Sequence, residues 1–257
     1  MTTPPIPHVL VLGGTAEARQ LANFIHHHLG ASVRLTTSLA GRTKRPAAVP
    51  GAVRVGGFGG VEGLGAYLDA EHVSFLIDAT HPFASTITRH AATAADSRKT
   101  FRLMLVRAFW QIPATLDVQY VPDMEAAAAA LGSIGAKRTL LTTGTQNLSV
   151  FAPMNDVWFL VRQIENHEKP LPLNNAATFT QSPPFTLEGE RAIMLENRID
   201  TLVSKESGGS ATEAKLEAAA QLGIKTIVVR RPSVPPGDCV ATPEEALAWL
   251  LARMPSS

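Results

Sequence analysis

The chain has 257 residues, enough for one large α/β domain or two smaller ones, and 45% of them are apolar, which supplies a core for either arrangement. A formal net charge of +1 argues against a general nucleic-acid binder, which concentrates Lys and Arg, so any basic site is local. Cys239 is the single cysteine, which excludes an intramolecular disulfide and gives no reason to expect a Cys-based metal cluster or any other metal.

No apolar run approaches the roughly 18 residues of a membrane span. The Pro/Thr-rich start, residues 1–7, lacks the basic segment and longer apolar stretch of a signal peptide. The expectation is a soluble, cytoplasmic protein with no membrane or nucleic-acid partner; a monomer is compatible with the sequence, which does not fix the oligomeric state.

From the N-terminus, strand-like runs at 9–12, 33–36, 73–77 and 103–106 alternate with helical patterns at 16–29, after 61, and at 84–95. This βαβ rhythm implies a mainly parallel sheet with helices on both faces. Periodicity breaks at 109–116, around Trp110 and Pro113, and then restarts. Strands are expected at 118–121, 139–142, 157–161, 202–204 and 224–229, and helices at 124–131, 211–222 and 243–254, the last with Thr242 as N-cap. The predicted fold is α/β: two Rossmann-like lobes, each a mainly parallel sheet flanked by helices, with the active site in the cleft between them. Residues 1–109 form the dinucleotide-binding lobe and 110–257 the second.

The first strand ends in Gly13-Gly14-Thr15-Ala16-Glu17-Ala18-Arg19. Bare backbone at Gly13 and Gly14 lets the chain approach a pyrophosphate, and the helix beyond offers free N–H groups and a partial positive charge. Thr15 can add a hydroxyl bond or cap the helix. The loop is not Gly-x-Gly-x-x-Gly, and a tight turn without ligand has the same residues. Glu17 is awkward beside phosphates, so it is expected to bond first-turn amides or to point toward the other lobe.

The second strand ends in Thr36-Thr37-Ser38 with no acid to accept a ribose 2′-hydroxyl, and Arg42, Thr43, Lys44 and Arg45 come soon after. Hydroxyls and cations at one strand end suit a 2′-phosphate, so NADPH is preferred over NADH; a solvated basic loop is the alternative. His26, His27 and His28 diverge around a helix and cannot share a metal. Trp110, Trp158 and Trp249 are expected in the core or between lobes.

Taken together and in order, residues 11–19, 77–84 (Ile-Asp-Ala-Thr-His-Pro-Phe-Ala), 142–148 (Thr-Thr-Gly-Thr-Gln-Asn-Leu) and Lys205-Glu206-Ser207-Gly208-Gly209 with 213–219 resemble the precorrin-6A reductase family of cobalamin biosynthesis. The cobalt-precorrin-6A reductases look similar by the same segments. The resemblance implies an oxidoreductase acting on a CH–CH group: NADPH reduces one double bond of precorrin-6A to give precorrin-6B, with hydride going to the ring carbon beside the direct bond between rings A and D. It also implies two α/β lobes with cofactor and tetrapyrrole between them. Another NAD(P)-dependent reductase of a smaller substrate, and a nucleotide-binding regulatory protein without chemistry, are the competing readings.

In that light Ala18, Thr37, Ser38, Thr80 and His81 join Gly13, Gly14, Thr15, Glu17, Arg42 and Arg45 as cofactor-site candidates. His81 can donate a proton near the reacting bond; alternatively Asp78 and Thr80 cap the next helix and His81 only shapes the pocket, since a conjugated tetrapyrrole can take its proton from water. Thr143, Gly144 and Thr145 can receive a substrate carboxylate or form a plain capped turn. Lys205, Ser207, Gly208 and Gly209 offer a point charge and an anion-binding nest, with Lys205 a second catalytic candidate; a helix-capping turn is the alternative. Replacing Arg42 and Arg45 with Ala should weaken NADPH far more than NADH, by about 1–3 kcal/mol for each charge-assisted bond lost. Equal weakening of both nucleotides in a binding titration would show that this loop does not read the 2′-phosphate.

Overall fold

The computed structural model describes residues 6–41, 47–165 and 170–254. They form two compact units, one from the described parts of 1–107 and 232–257 and one from those of 108–231. No described helix is long and apolar enough to cross a membrane.

The first unit opens with β1 (His8–Leu12), α1 (Ala16–Leu29), β2 (Arg34–Leu39), β3 (Ala52–Val55), α2 (Gly60–Ala70), β4 (Val73–Asp78), α3 (Ser85–Arg98) and β5 (Phe101–Leu105). The strands lie in the order β3-β2-β1-β4-β5, all parallel. β1 is buried at every position because both of its faces are covered. Val9 and Val11 pack against Ala18, Leu21, Ala22 and Ile25 of α1. Leu10 and Leu12 pack against Leu64 and Leu68 of α2 and Ala91, Ala94 and Ala95 of α3. The α1 set has the 0, 3, 4, 7 spacing of one helical face.

The second unit contains β6 (Val118–Val121), α4 (Met124–Ile134), β7 (Arg138–Thr142), β8 (Trp158–Gln163), β9 (Ala176–Thr180), α5 (Leu187–Glu196), β10 (Thr201–Lys205), α6 (Ala214–Leu222) and β11 (Lys225–Val229). Its strand order is β6-β11-β10-β7-β8-β9, again all parallel. Leu140, Leu160, Leu202 and Val228 build a core with Met194 of α5 and Leu216 and Ala219 of α6. Asp123 caps α4 by accepting from the Ala126 N–H, and Thr186 caps α5 through Gly189.

The chain then returns to the first sheet. β12 (Asp238–Val240) pairs in parallel with β5, and α7 (Pro243–Leu251) sends Ala246, Leu247 and Leu250 into the core shared with α1. The boundary expected at 110–257 is therefore corrected: the second unit ends at Arg231, and the segment from Pro232 onward belongs with the first. The physical reason is twofold. β12 covers the otherwise open edge of β5, and the apolar face of α7 completes the layer that α1 begins. With β12 in place the sheet has the 3-2-1-4-5-6 order of dinucleotide-binding folds. Thr242 caps α7 as expected, in a reciprocal box with Glu245 and with Pro243 in the first turn.

Leu250 is fully buried in this shared core. Leu250→Ala should cost about 2–5 kcal/mol in urea unfolding. Hydrogen exchange should show the loss of protection in the first sheet; loss confined to 108–231 would contradict this placement of the last helix.

Candidate active site

Between β1 and β4 the first sheet changes winding direction, with β2 and β3 on one side and β5 and β12 on the other. Connections leave such a switch point to opposite faces, and a crevice opens at the carboxyl ends of the two strands. The loops that carry Gly13, Thr15, Ser38 and Thr80 meet at that edge. The Ala79 N–H donates to the Leu12 carbonyl at 3.0 Å and the Gly13 N–H to Ser38 at 2.9 Å. Thr15 Oγ1 donates to the Ala79 carbonyl at 2.8 Å. The loops after β1, β2 and β4 are thus one bonded unit.

Gly13 sits in a tight place: a Cβ there would lie 3.0 Å from Thr37 Cγ2, so that side chain would have to give by a few tenths of an ångström. Gly14 adopts φ +107°, a conformation that L side chains avoid, and the space where its Cβ would point is open. Thr15 is the N-cap of α1, accepting from Ala18 N–H at 3.0 Å. With its proton committed to Ala79, Thr15 acts here as cap and strut, and the main chain is what remains for a ligand.

Glu17 is in an ion pair rather than bonded to the first-turn amides. Its carboxylate lies 3.0 Å from Nη2 of Arg107, the last residue of the segment leaving β5, with both side chains largely buried. Burial draws the Arg107 pKa below its ordinary value, and Glu17 opposes that shift. The carboxylate at the glycine loop is thereby neutralised by a cation that the sequence reading missed.

At the end of β2, Thr37 and Ser38 are buried, and the Thr37 hydroxyl has no hydrogen-bond partner among the described residues. Arg42 and Arg45, predicted to read a 2′-phosphate, lie outside the described residues.

After β4, buried Asp78 accepts from Thr80 twice, from its N–H at 3.0 Å and its hydroxyl at 2.6 Å. The alternative in which these two residues cap the next helix is corrected: α3 starts after Ala84 with no side-chain cap, and Asp78 instead folds the loop onto itself. His81 is exposed, and its Nδ1 accepts from the Phe83 N–H at 3.2 Å. A neutral ring with Nδ1 as acceptor carries its proton on Nε2.

The second sheet has its own switch point, between β7 and β10. The two loops predicted to bind substrate leave the ends of these strands. Thr142 Oγ1 donates to the Val203 carbonyl at 3.2 Å, and Thr143 is buried with its hydroxyl on the Gly144 carbonyl at 3.3 Å; Thr145 is half-buried. The 205–209 loop is held by the residues where the chain enters and leaves this unit. The Gly209 N–H donates to Ala108 at 3.2 Å. Glu206 accepts from the Arg231 N–H at 3.1 Å through its side chain and from Arg231 Nε at 3.2 Å through its carbonyl. Gly208 has φ +67°, and a side chain there would collide with the Ala108 carbonyl. Ser207 is buried. A short 3-10 turn comes next at Ser210–Thr212, so α6 begins at Ala214 rather than at the expected 211.

The model of the precorrin-6x reductase CbiJ/CobK family matches residues 8–251. The chain belongs to this family. A precorrin-6A reductase of Mycobacterium tuberculosis is 42% identical over 249 residues, covering 96% of this chain and 98% of the relative. A cobalt-precorrin-6A reductase of Priestia megaterium is 31% identical over 260 residues, covering 95% and 98%. The solved structure of a CobK precorrin-6A reductase superposes with a TM-score of 0.87 at 38% identity, covering 96% of each chain.

The chain also carries a buried charge cluster that sequence reading missed. Arg162 of β8 binds Glu190 of α5 with two bonds, 2.7 and 2.6 Å, and both side chains are buried. Lys215 of α6 is 3% exposed, with Nζ 4.4 Å from the ring centroid of Trp110. Burial, then the Arg162 charge, push its pKa from 10.5 down to about 7, against the opposing pull of Glu190. A signal was present: Lys215 shares the buried face of α6 with Leu216, Ala218 and Ala219. Trp110 is a core residue, as expected.

Between pH 7 and 10.5 the unfolded chain keeps a proton on Lys215 that the folded protein has released, so this group makes stability rise with pH across that window. Below pH 7 both states are protonated and the full cost of burying the charge is felt. The slope contributed is at most about 1.4 kcal/mol per pH unit. Lys215→Met should remove it, flattening melting temperature against pH relative to the parent; parallel profiles would contradict the shifted lysine.

Proposed function

We propose that this chain reduces precorrin-6A with NADPH as hydride donor. Membership in a reductase family supports reduction of the macrocycle. The precorrin-6A reductase named above shares more residues with this chain than the cobalt-precorrin-6A reductase does, which favours the cobalt-free substrate.

The observation that carries the cofactor reading is the edge between β1 and β4. It offers open backbone at Gly14, the first turn of α1, and a Glu17 already neutralised by Arg107. That donor set fits a diphosphate, because main-chain N–H groups at a helix start bind anions and no free carboxylate repels them. Ala18 packs against Gly13 and its N–H is held by Thr15, so it shapes the loop. Thr37 and Ser38, with Arg42 and Arg45 close behind in sequence, take the ribose end; the unpartnered Thr37 hydroxyl and the missing acid favour the 2′-phosphate form. NADPH, when bound, supplies the hydride. Thr80, fixed by Asp78, and His81 flank the same crevice, and His81 offers an Nε2 proton toward the reacting bond.

In the second unit, Thr143, Gly144 and Thr145 after β7 and Lys205, Ser207, Gly208 and Gly209 after β10 receive carboxylates of the tetrapyrrole. Lys205 supplies the positive charge. Acetate and propionate arms call for such dispersed donors.

Incubation with precorrin-6A should consume NADPH, read as loss of the reduced-nicotinamide absorbance with matching loss of precorrin-6A. Binding without oxidation would leave a regulatory nucleotide binder instead. Gly14→Ala, strained at φ +107°, should lower NADPH affinity at least about tenfold, given loss of one or more charge-assisted bonds; unchanged affinity would remove the diphosphate from this loop.

A further inference from the structure

An indole is bonded to the end of the 205–209 loop, and a lysine lies against that indole. Trp110 lies in the segment entering the second unit, 6% exposed, and its Nε1–H donates to the Gly209 carbonyl at 3.1 Å. Ala108, two residues earlier, accepts from the Gly209 N–H at 3.2 Å. Both polar main-chain groups of Gly209 are therefore bonded to this segment, and the carbonyl also accepts, at a longer 3.4 Å, from the Thr212 N–H of the following turn. Gly208 and Gly209 have φ +67° and +78°, where glycine peptides otherwise swing with little resistance. Holding the Gly209 N–H and carbonyl fixes the two peptide planes that flank Gly209, and with them the path by which the chain leaves Lys205 and Ser207 for Ser210. Gln111 ties the same segment to the start of α6, its N–H donating to Glu213 Oε1 at 2.8 Å.

Lys215 stands behind Trp110. Both oxygens of Glu190 are engaged by Arg162, and the Nζ of Lys215 lies against the indole, 4.4 Å from its centroid. Were the position only a space to fill, an unbranched apolar side chain would fill it without the cost of burying an ionisable amine beside Arg162. The retained cost points to a task, and the group that the lysine touches is the one that orients the loop.

We propose that Lys215 and Trp110 are positioning residues: the lysine fixes the plane of the indole, and the indole fixes Gly209, so that the 205–209 turn is preset for a carboxylate of the tetrapyrrole. This inference rests on the reading of that loop as a substrate site. Neither side chain touches the reacting atoms, so the effect belongs in substrate affinity and not in the chemical step.

The test uses the full-length protein with saturating NADPH, measuring KM and kcat for precorrin-6A, NADPH affinity and the near-ultraviolet circular dichroism of each variant. Trp110→Phe keeps a ring for the lysine but loses the N–H donor. It should raise KM roughly fivefold, the scale of one neutral hydrogen bond, with kcat within about twofold and NADPH affinity unchanged. Lys215→Met should raise KM in the same way, and the double variant no more than Trp110→Phe alone, because the two act in series. Multiplied effects in the double variant, or unchanged KM in both single variants, would overturn the proposal. Lys205→Ala separates the two levels: a raised KM there with unchanged KM in Trp110→Phe sinks only the positioning role, whereas unchanged KM in Lys205→Ala sinks the loop reading and this inference with it. Should Lys215→Met fail to fold, Trp110→Phe decides alone.

Discussion

The carboxyl ends of β1 and β4 are neighbours in the first sheet, yet the chain departs from them to opposite faces, α1 to one and α3 to the other. A crevice at such a point is a consequence of topology rather than of any single residue. Everything proposed for the cofactor depends on this. Thr15 bridges the gap to Ala79, Gly13 rests on Thr37, and Gly14 leaves bare main chain at the lip. The second sheet repeats the arrangement between β7 and β10. Two parallel sheets provide two such edges, and the predicted loops occupy one edge each.

Electrostatics then decides what each edge can hold. A carboxylate at a phosphate loop is a fault in isolation, and the Arg107–Glu17 pair removes it without leaving the buried arginine uncompensated. In the second unit Arg162 and Glu190 cancel, and Lys215 remains as a buried amine against an aromatic face, its proton weakly held because burial and Arg162 disfavour the charge. The pairings differ in consequence. The first silences a repulsive charge; the second leaves an amine whose position is set by packing.

Much of the frame could be read from the sequence because the central strands are covered on both faces. The runs at 9–12, 73–77, 103–106 and 224–229 carry apolar residues at consecutive positions, and Thr15 and Thr242 announce helix starts by side-chain chemistry. Apart from α5, which carries Met194 and Glu190 into the second unit's interior, what escaped was peripheral. β3 is an exposed edge strand in which Val53 and Val55 face outward, β9 is an edge strand of mixed burial, and β12 has only three residues. Such strands are defined by their hydrogen-bonding neighbour, which local pattern does not reveal. The return of 232–254 to the first sheet escaped for the same reason, since pairing of Asp238–Val240 with β5 joins residues far apart in the chain. The site divides likewise. Glycines and hydroxyls at strand ends were legible, because topology places strand ends at functional edges. Arg107 and the Arg162–Glu190–Lys215 cluster were not, because ion pairs and buried charges depend on which distant side chains share a space.

The most direct measurement of the central claim is a crystal structure with NADP+ bound. The account predicts diphosphate density within hydrogen-bond reach of the main-chain N–H groups at Gly14 and the first turn of α1, with the nicotinamide toward Thr80 and His81. Diphosphate density lying against the 205–209 turn of the second sheet, with the Gly13–Gly14 loop untouched, would contradict it.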